Sequence, residues 1–314
     1  MQSNIRLYKD TKDSKSVVAN LESIRLHNEI GELSADVIHL TKEIDDYLEK
    51  IKTITAEEEK LQTELSLAEH IQSSMLPHVF PPFPARNEFD IYASMEPARA
   101  VGGDFYDFFL VDTDHLCIVI ADVSGKGIPA ALFMMVTKSI IKNCAMLGRS
   151  AAEVLHTTNE ALCDNNQTEM FVTAWIGILE ISTGKLTAAN AGHEYPAIKQ
   201  PGGNFEILKD KHGFVVGGME DTIYTEYELW LEPGSKIFLY TDGVPEAANA
   251  DLQLFGTDRM LQALNSEPDP DPRKVLATMH KWVDDFVQDA EQFDDLTMLC
   301  MEYKGAGEPV DISH

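Results

Sequence analysis

V-G-G-D-F-Y-D-F-F at Val101–Phe109 and A-D-V-S-G-K-G at Ala121–Gly127 decide the fold of this chain. Between them lies the apolar run Leu116–Ala121, which stops at Asp122. An apolar run that ends at an acidic residue and then breaks into glycines predicts a strand that delivers a carboxylate to a loop whose backbone can approach a ligand closely. Carboxylates presented in this way suit hard cations that prefer oxygen ligands. The stretch therefore predicts part of a metal site, whose other ligands must come from elsewhere.

The composition excludes several classes of protein. With 314 residues, of which 44% are apolar, the chain is long enough for one large domain or two with a real core. Its 52 acidic against 25 basic residues give a net charge of -27, which argues against nucleic acid or an anionic membrane surface as the main partner. No apolar run approaches the ~18 residues that span a bilayer, and the N-terminus does not resemble a signal peptide. The four cysteines form no C-x-x-C pair, which favours a reduced, cytoplasmic compartment.

Apolar residues at alternating steps of four and three between Leu26 and Met75 predict a coiled-coil helix. The a positions are mostly β-branched and leucine is common at d, a combination that favours a parallel two-stranded coil and hence a homodimer. Glu58 and Gln72 occupy a positions, so the seam weakens toward the C-terminal domain. A looser, out-of-phase pattern in residues 1–25 predicts a stutter or a frayed start. A long helix that packs on its own domain is the alternative to the homodimer.

Prolines mark the boundary after this helix. Met75-Leu76-Pro77 ends the helix, and Pro81-Pro82-Phe83-Pro84 predicts an extended connector, because proline lacks a donor and biases its predecessor away from helix. The predicted organisation is a helical regulatory and dimerisation segment at 1–75, a domain at 76–303 and a tail at 304–314.

Beyond the connector, strands occur in hairpins and helices follow one another in pairs, which predicts a sheet sandwich with helices on its outside. The predicted strands are Phe89–Met95, Leu116–Asp122, Phe171–Ile181, Lys185–Ala191, Pro196–Lys199, Asn204–Leu208, Tyr224–Leu231, Lys236–Tyr240 and Leu296–Tyr303. The predicted helices are Ile128–Leu147, a second one that ends at Cys163, and an amphipathic one with its apolar stripe from Val275 to Val287.

Three of the predicted strands begin or end at an aspartate, namely Asp122, Asp242 and Asp294, and Asp104 follows two glycines as a fourth. Each one alone is weak evidence, because an aspartate beside glycine is usually a turn residue. Carboxylates at strand edges from distant parts of the chain, with no histidine in the same motifs, are the donors that Mg²⁺ or Mn²⁺ prefers. The repetition of the pattern therefore indicates a metal site.

The chain contains five motifs in a fixed order: V-G-G-D-F-Y-D, A-D-V-S-G-K-G-I-P-A-A, N-A-G-H, Y-T-D-G-V-P-E-A and F-D-D-L-T-M-L. In this order they resemble the motifs of the bacterial metal-dependent Ser/Thr phosphatases of the SpoIIE/RsbU type, within the PP2C superfamily. The resemblance covers Glu69–Tyr303, including E-H-I-Q-S-S-M-L-P at its start. It implies an α+β fold, in which two antiparallel β-sheets are flanked by helices and hold two Mn²⁺ or Mg²⁺ ions at one end.

Carried over residue by residue, the resemblance makes Asp122 the ligand that bridges both ions, while the carbonyl of Val123 helps to hold one. Asp242 and Asp294 would ligate the other ion, and Asp104 would hold the second, partly through water. Two cations so placed lower the pKa of a bridging water, and the resulting hydroxide attacks phosphorus in line, without a covalent phosphoenzyme. The implied activity is that of a protein-serine/threonine phosphatase.

Four neighbouring residues have open roles. Arg99 has the spacing at which relatives carry an arginine that grips phosphate, a task that suits its guanidinium fork, and a surface ion pair is the alternative. His193 lies in the N-A-G-H turn, where packing or hydrogen bonding is favoured over catalysis. Asp107 is either an acceptor behind the metal ligands or an ordinary strand-edge carboxylate. Asp295 is expected to point away from Asp294, because successive side chains of a strand face opposite sides.

Other readings of these motifs are excluded. Ser124-Gly125-Lys126-Gly127 is not a P-loop, because Ile120 stands where the first glycine is needed and Gly127 where serine or threonine is required. No cysteine has an arginine six residues later, so the loop of a cysteine phosphatase is missing. Gly102-Gly103-Asp104 lacks the second acidic residue of a cyclic-dinucleotide synthase signature.

For relatives of this type, the resemblance implies a phosphorylated STAS-type antagonist of an anti-sigma factor as the substrate and partner switching as the output. The coiled coil offers a route of control, since a change of helix register at Met75–Pro77 would shift the helices that follow Gly127. Whether the coil activates or inhibits, and whether Mn²⁺ or Mg²⁺ is used, stays open. The alternative function is a catalytically silent coiled-coil adaptor, against which the retention of all four aspartates argues.

Overall fold

The computed structural model of the protein describes residues 18–19, 29–164 and 166–306. Five helices lie within the ranges 29–164 and 166–306: α1 (Glu29–Met75), α2 (Ile128–Met146), α3 (Ala151–Cys163), α4 (Gly256–Leu264) and α5 (Pro272–Val287). The same ranges contain ten strands: β1 (Phe89–Glu96), β2 (Phe105–Leu110), β3 (His115–Val123), β4 (Val172–Glu180), β5 (Lys185–Ala191), β6 (Ala197–Lys199), β7 (Phe205–Ile207), β8 (Glu226–Trp230), β9 (Ser235–Tyr240) and β10 (Leu296–Tyr303).

The strands form two five-stranded antiparallel sheets. Sheet A has the order β1-β10-β9-β6-β7, and sheet B has the order β2-β3-β4-β5-β8. Helices α2 and α3 pack on sheet B, whereas α5 packs on β1 and β10 of sheet A, with α4 beside it. This architecture confirms the predicted α+β sandwich of two antiparallel sheets flanked by helices.

The core consists of two apolar layers. One lies between the sheets and extends under α2 and α3, with Trp175 and Phe105 fully buried in it. The other lies between sheet A and the helices α4 and α5, around Phe238 and Phe255. Strands β3 and β9 are buried on both faces, because a sheet covers one face and a helical layer the other. Each therefore contains a continuous apolar run, at residues 116–121 in β3 and 237–240 in β9.

Two elements were not predicted from the sequence, namely strand β2 and helix α4. Strand β2 is buried along almost its whole length and is rich in aromatic residues, so it lacks the alternation that indicates a half-buried strand. Helix α4 has nine residues and begins at Gly256 without a side-chain cap, so the usual start signal is absent. The other predicted helices and strands are present, with shifts of one or two residues at several ends.

Helix α1 is continuous over 47 residues, about 70 Å at 1.5 Å per residue, and ends at Met75 as predicted. The chain divides into two compact units between Ser66 and Leu67, so the last turns of α1 belong to the same unit as the sheets. Seam residues such as Leu40 (56% exposed) and Ile51 (58% exposed) are open to solvent in the single chain. The parallel homodimer stays a prediction. Most of the stretch 1–25 and most of the tail at 304–314 lie outside the described residues.

Among the described residues, one helix, α2, is long and apolar enough to cross a membrane by length and composition alone. Lys138 and Lys142 interrupt the apolar residues of α2, so its sequence contains no uninterrupted apolar run of this length. The side chains of Ala130 and Met134 are fully buried in the core between α2 and the sheets. Partial burial of this kind is what the core helix of a folded domain shows.

Candidate metal centre

The topology brings the four predicted aspartates to one end of the sandwich. Asp104 directly precedes β2 and Asp122 is the last residue but one of β3, and these strands are antiparallel neighbours in sheet B. Asp242 follows β9 and Asp294 precedes β10, and these strands are antiparallel neighbours in sheet A. The end of one strand and the start of its antiparallel neighbour lie at the same end of the sheet, so each sheet contributes two carboxylates at that end.

Direct contacts join the two sheet edges. The hydroxyl of Thr241, which follows β9, donates a hydrogen bond of 2.6 Å to Oδ2 of Asp104, and the Asp104 side chain is buried. Gly103 packs against the end of β3, where a Cβ on this residue would lie 2.8 Å from the carbonyl oxygen of Val123. Only glycine allows this approach, which places the predicted carbonyl ligand next to the loop that carries Asp104.

The carboxylates repel one another. Burial raises the pKa of Asp104 well above its usual range, and the charges of Asp122 and Asp295 add to this effect, opposed by hydrogen bonds from threonine hydroxyls. Burial, followed by the charge of Asp242, raises the pKa of Asp122 to about 7. Burial, followed by the charge of Asp294, raises the pKa of Asp242 to about 6. Shifts in this direction are those expected when carboxylates are buried near other acidic groups.

Lys126 occupies the solvent side of this group. Its ammonium donates to Oδ2 of Asp294 at 2.8 Å and to the carbonyl of Phe293 at 2.6 Å, and it lies 4.0 Å from the centre of the Phe293 ring. In the described parts of the chain, no three Asp, Glu, His or Cys side chains are gathered closely enough to hold an ion as they stand.

The donor set nevertheless fits a divalent cation. Asp104, Asp122, Asp242 and Asp294 supply only oxygen atoms, the carbonyl of Val123 lies beside them, and no histidine or cysteine competes within their motifs. Hard cations of the Mg²⁺ or Mn²⁺ kind prefer this chemistry. A cation at this edge would also relieve the repulsion that raises the pKa values of Asp104, Asp122 and Asp242.

Asp295 holds the loop that carries Asp104. Its carboxylate accepts hydrogen bonds from the backbone N–H of Ala98 at 2.8 Å and of Gly103 at 2.7 Å. A Cβ on Gly102 would lie 2.2 Å from this carboxylate, and a Cβ on Gly243 would lie 1.9 Å from the Asp295 carbonyl oxygen. The sequence indicated only that Asp295 would point away from Asp294, and its bonds to the loop were missed.

Gln72 joins the end of α1 to the same loop. Its side chain is buried, its Nε2 donates to the carbonyl of Gly102 at 2.6 Å, and its Oε1 accepts from the N–H of Gly102 at 3.1 Å. Tyr106 adds a second link, since its hydroxyl donates to the carbonyl of Pro77 at 2.7 Å. Both polar ends of the Gln72 side chain thus bond the domain, and the position of Gln72 in a coiled-coil seam stays a prediction.

Asp107 does not belong to the group of carboxylates. It forms a buried ion pair with Lys138 on α2, with Nζ 2.5 Å from Oδ2 and less than a tenth of either side chain exposed. The pair fastens α2 to β2. Of the two open roles for Asp107, the strand carboxylate with a structural partner is the one that the geometry supports.

His193 connects the N-A-G-H turn to β4. Its Nδ1 lies 3.0 Å from the hydroxyl oxygen of Thr173, which pairs in register with Asp122, and Asn190 bonds both the N–H and the carbonyl of His193. Burial lowers the pKa of His193 to about 3, although the carbonyl of Tyr240 opposes the shift, so the ring is neutral. Its Nε2 is buried and has no hydrogen-bond partner within the described residues. The hydrogen-bonding role favoured from the sequence agrees with these contacts.

Arg99 lies on the loop between β1 and β2, five residues before Asp104. Its side chain is exposed and forms no ion pair or hydrogen bond with any residue that the structure describes. The alternative of a surface ion pair therefore finds no partner here, and the guanidinium is open to an incoming anion.

Comparison with known proteins agrees with the fold and with the ordered motifs. The family model of Stage II sporulation protein E (SpoIIE) matches residues 112–304, a range that contains Asp122, Asp242 and Asp294 but not Asp104. The chain is 30% identical to Protein IcfG of Synechocystis over 93% of its own length and 50% of that relative. It is 29% identical to Phosphoserine phosphatase RsbU of Bacillus subtilis, over 81% of this chain and 74% of RsbU. The chain thus spans about half the length of IcfG.

Solved structures show the same fold. The SiaA-PP2C domain of Pseudomonas aeruginosa superposes with a TM-score of 0.67 at 23% identity, over 79% of this chain and 99% of that domain. The PP2C phosphatase domain of SpoIIE from Bacillus subtilis, with a fragment of its regulatory domain, superposes with a TM-score of 0.61 at 15% identity, over 69% of this chain and 63% of that structure.

Proposed function

This chain belongs to the SpoIIE family of PP2C-type phosphatases, and on that premise we propose that it is an active, metal-dependent protein-serine/threonine phosphatase. The observation that carries the proposal is that strands from both sheets place four aspartates at one end of the sandwich, where burial and neighbouring carboxylates raise the pKa values of Asp104, Asp122 and Asp242. An adaptor without activity would have no need to maintain this electrostatic cost. Its relative RsbU is named a phosphoserine phosphatase, which supports the same substrate chemistry.

In the proposed reaction, Asp122 would help to hold both divalent ions and the Val123 carbonyl would help to hold one of them, while Asp242 and Asp294 would hold one ion and Asp104 the other. Two bound Mn²⁺ or Mg²⁺ ions would supply Lewis acidity, by lowering the pKa of a water molecule and neutralising charge on the phosphoryl oxygens. Thr241 and Asp295 fix Asp104, through the hydroxyl bond to its carboxylate and the bond to the N–H of Gly103.

Arg99 is proposed to bind the phosphoryl group. Its exposed guanidinium has no described partner, and the loop that carries it is held by the bond from the N–H of Ala98 to Asp295. A planar fork of donors suits a phosphate better than a single ammonium does, because it forms two parallel hydrogen bonds. Its task is to bind and orient the substrate, and it transfers no proton.

The substrate is proposed to be a regulatory phosphoprotein, of the STAS type that the resemblance implies, in a cytoplasmic partner-switching pathway. The chain is proposed to act as a homodimer through the parallel seam of α1. The contact of Gln72 with Gly102 supports control through this helix, because it joins the end of α1 to the loop that carries Asp104. It adds a shorter route to the predicted one through the helices after Gly127.

Hydrolysis of an aryl phosphate and of a phosphoserine protein, with Mn²⁺ and with a chelator, tests the activity. Asp122→Asn is expected to reduce metal-dependent turnover by on the order of 10²–10³-fold, since loss of the bridging ligand removes several kcal/mol of transition-state stabilisation. Asp251→Asn, on an exposed loop, is the matched control and is expected to keep wild-type turnover. Turnover that survives chelation, or an Asp122→Asn protein as active as its parent, would contradict the mechanism. A wild-type protein without turnover would favour the adaptor.

Control through the coiled coil has a separate test. Ile51→Glu places a charge in the seam of the full chain, and sedimentation is expected to show a shift from dimer to monomer. Lys52→Glu, next to it on the helix, is the control for a change of charge outside the seam. A changed affinity for Mn²⁺ or a changed turnover in Ile51→Glu alone supports control. Identical affinity and turnover in a protein that has lost its dimer would count against it.

A further inference from the structure

A cavity of about 190 Å³ opens next to the candidate metal centre. Gly243 and Asp294 line it on the side of the aspartates, and α5 lines it on the other side. Gln292 fixes the segment between α5 and β10, since its Nε2 donates to the carbonyl of Glu96 at 2.9 Å and to that of Asp294 at 2.8 Å. The cavity therefore lies beside the candidate metal centre and shares Asp294 with it.

The lining has two chemically different parts. Its floor is apolar, with the buried side chains of Val283 and Leu296 and the alanines 247 and 248. Its rim is acidic, and the four exposed carboxylates on it belong to Glu96, Glu246, Asp284 and Glu291. Among the residues that the structure describes, no lysine or arginine lines it. Lys126, which bonds the lining residues Asp294 and Phe293, is engaged with the carboxylate of the first and the carbonyl of the second.

Among the described lining residues, His280 is the one that could offset this charge. Its Nε2 lies 2.9 Å from the hydroxyl oxygen of Ser94, and its Nδ1 lies 3.6 Å from Oε1 of Glu96. Both ring nitrogens thus face groups of the protein, and even a protonated ring would balance only one of the carboxylates. The rim stays negative in either state of the histidine.

The shape and charge together select the group that fits. An aliphatic group would fill the floor and leave the carboxylates poorly solvated, whereas a phosphate would meet like charge at the rim. A small cation would satisfy the rim and leave the floor uncovered. A lysine or arginine side chain satisfies both parts, because an apolar stem leads to a cationic head. With about 190 Å³, the cavity is smaller than the roughly 300–1,000 Å³ of sites for drug-sized ligands, as expected for one side chain.

We propose that this cavity receives a lysine or arginine side chain of the phosphoprotein substrate, close in sequence to the phosphorylated residue. The proposal rests on the proposed phosphatase function and adds a specificity site to it. Position supports it, since a substrate whose phosphoryl group lies at the aspartates has its neighbouring residues within reach of a cavity that shares Asp294 and Gly243 with that site. The basic residue would contribute to the binding of the substrate and leave the chemical step unchanged.

The test uses a set of phosphoserine peptides and the full-length protein. Each peptide carries one arginine at a position within four residues of the phosphoserine, and its partner carries citrulline, which has nearly the same shape without the charge. The cavity variant is Asp284→Asn/Glu291→Gln, since neither residue is a proposed metal ligand. Its matched control is Glu206→Gln/Glu232→Gln, which removes two exposed carboxylates that do not line the cavity. Phosphate release with Mn²⁺ gives kcat and KM, and fluorescence polarisation of labelled peptides in a chelator gives affinity without turnover.

For the wild type, arginine at one or two adjacent positions is expected to raise kcat/KM about tenfold over citrulline, through KM. The cavity variant is expected to lose most of this gain, and the control variant to keep it. All three proteins are expected to hydrolyse an aryl phosphate equally. Equal rates for the arginine and citrulline peptides, or the same gain in the cavity variant, would overturn the proposal. A preference for arginine that polarisation shows in the chelator, and that added Mn²⁺ abolishes, would assign the cavity to a cation instead.

The two proposals fail in different ways. A wild-type protein that hydrolyses neither aryl phosphate nor peptide refutes the proposed phosphatase activity. In that case, polarisation still tests whether the cavity binds a basic side chain, through the same comparison of arginine with citrulline peptides. A wild-type protein that hydrolyses both substrates but shows no preference for arginine refutes only the cavity.

Discussion

Replacement of Gln72 by alanine tests how strongly the last turns of α1 support the loop that carries Asp104. The Gln72 side chain is 4% exposed and bonds both the N–H and the carbonyl of Gly102. Alanine would leave two backbone groups without partners, each at a cost of about 1–3 kcal/mol. Because water would enter part of the vacated space, we expect a loss of about 2–4 kcal/mol in the free energy of unfolding, or roughly 5–10 °C in Tm.

Urea unfolding followed by tryptophan fluorescence is the assay, because all three tryptophans, Trp175, Trp230 and Trp282, lie in the unit that contains the sheets. Gln62→Ala is the matched control, since Gln62 is exposed on the same helix and is expected to change the free energy by less than about 0.5 kcal/mol. Mn²⁺ titration of the same variants is expected to show weaker binding for Gln72→Ala only. A Gln72→Ala protein that matches Gln62→Ala in stability and Mn²⁺ affinity would refute the reasoning.

Three further outcomes are expected. Lys138→Met is expected to cost about 3–5 kcal/mol in thermal or urea unfolding, because it leaves the Asp107 carboxylate buried without its partner, and adding Asp107→Leu should restore much of the loss. The metal-free protein is expected to lose stability as pH rises from about 4 to 7. Because the folded-state pKa values of Asp122 and Asp242 are raised, the folded state binds more protons than the unfolded state in this window. A free energy of unfolding that does not change with pH would contradict this. His193→Ala should weaken Mn²⁺ binding, with partial rescue by His193→Gln, whereas a variant with wild-type metal affinity would show that the histidine only packs.

The sequence was sufficient to predict the sandwich because its strands are marked by strong local patterns. Strands β5 and β10 were predicted to the residue, since each is a buried run between clear turns. Pro77 and the prolines after it also predicted the end of α1 at Met75. Strand β2 was missed because Phe105–Leu110 is buried on both sides. It therefore lacks the alternation of apolar and polar residues by which a strand is recognised in a sequence.

The candidate metal ligands could be found because an aspartate at the end of an apolar strand is a local feature. The residues that position them could not, since their partners are distant in the chain: Asp295 bonds Gly103, and Gln72 bonds Gly102. A local signal did exist for one buried contact, because Lys138 interrupts the apolar residues of α2 and a lysine there needs an acidic partner. Spacing alone did not identify that partner as Asp107.

The pairing of β1 with β10 has a consequence for the synthesis of the protein. Phe89 pairs with Tyr303, so β1 cannot pair until β10 has been synthesised. Asp294 and Asp295, which directly precede β10, are made at the same late stage. A nascent chain released short of β10 would lack one predicted ligand and the support of the Asp104 loop, and the edge of β1 would stay unpaired. We therefore expect the nascent chain to be inactive and prone to aggregation until β10 has emerged from the ribosome.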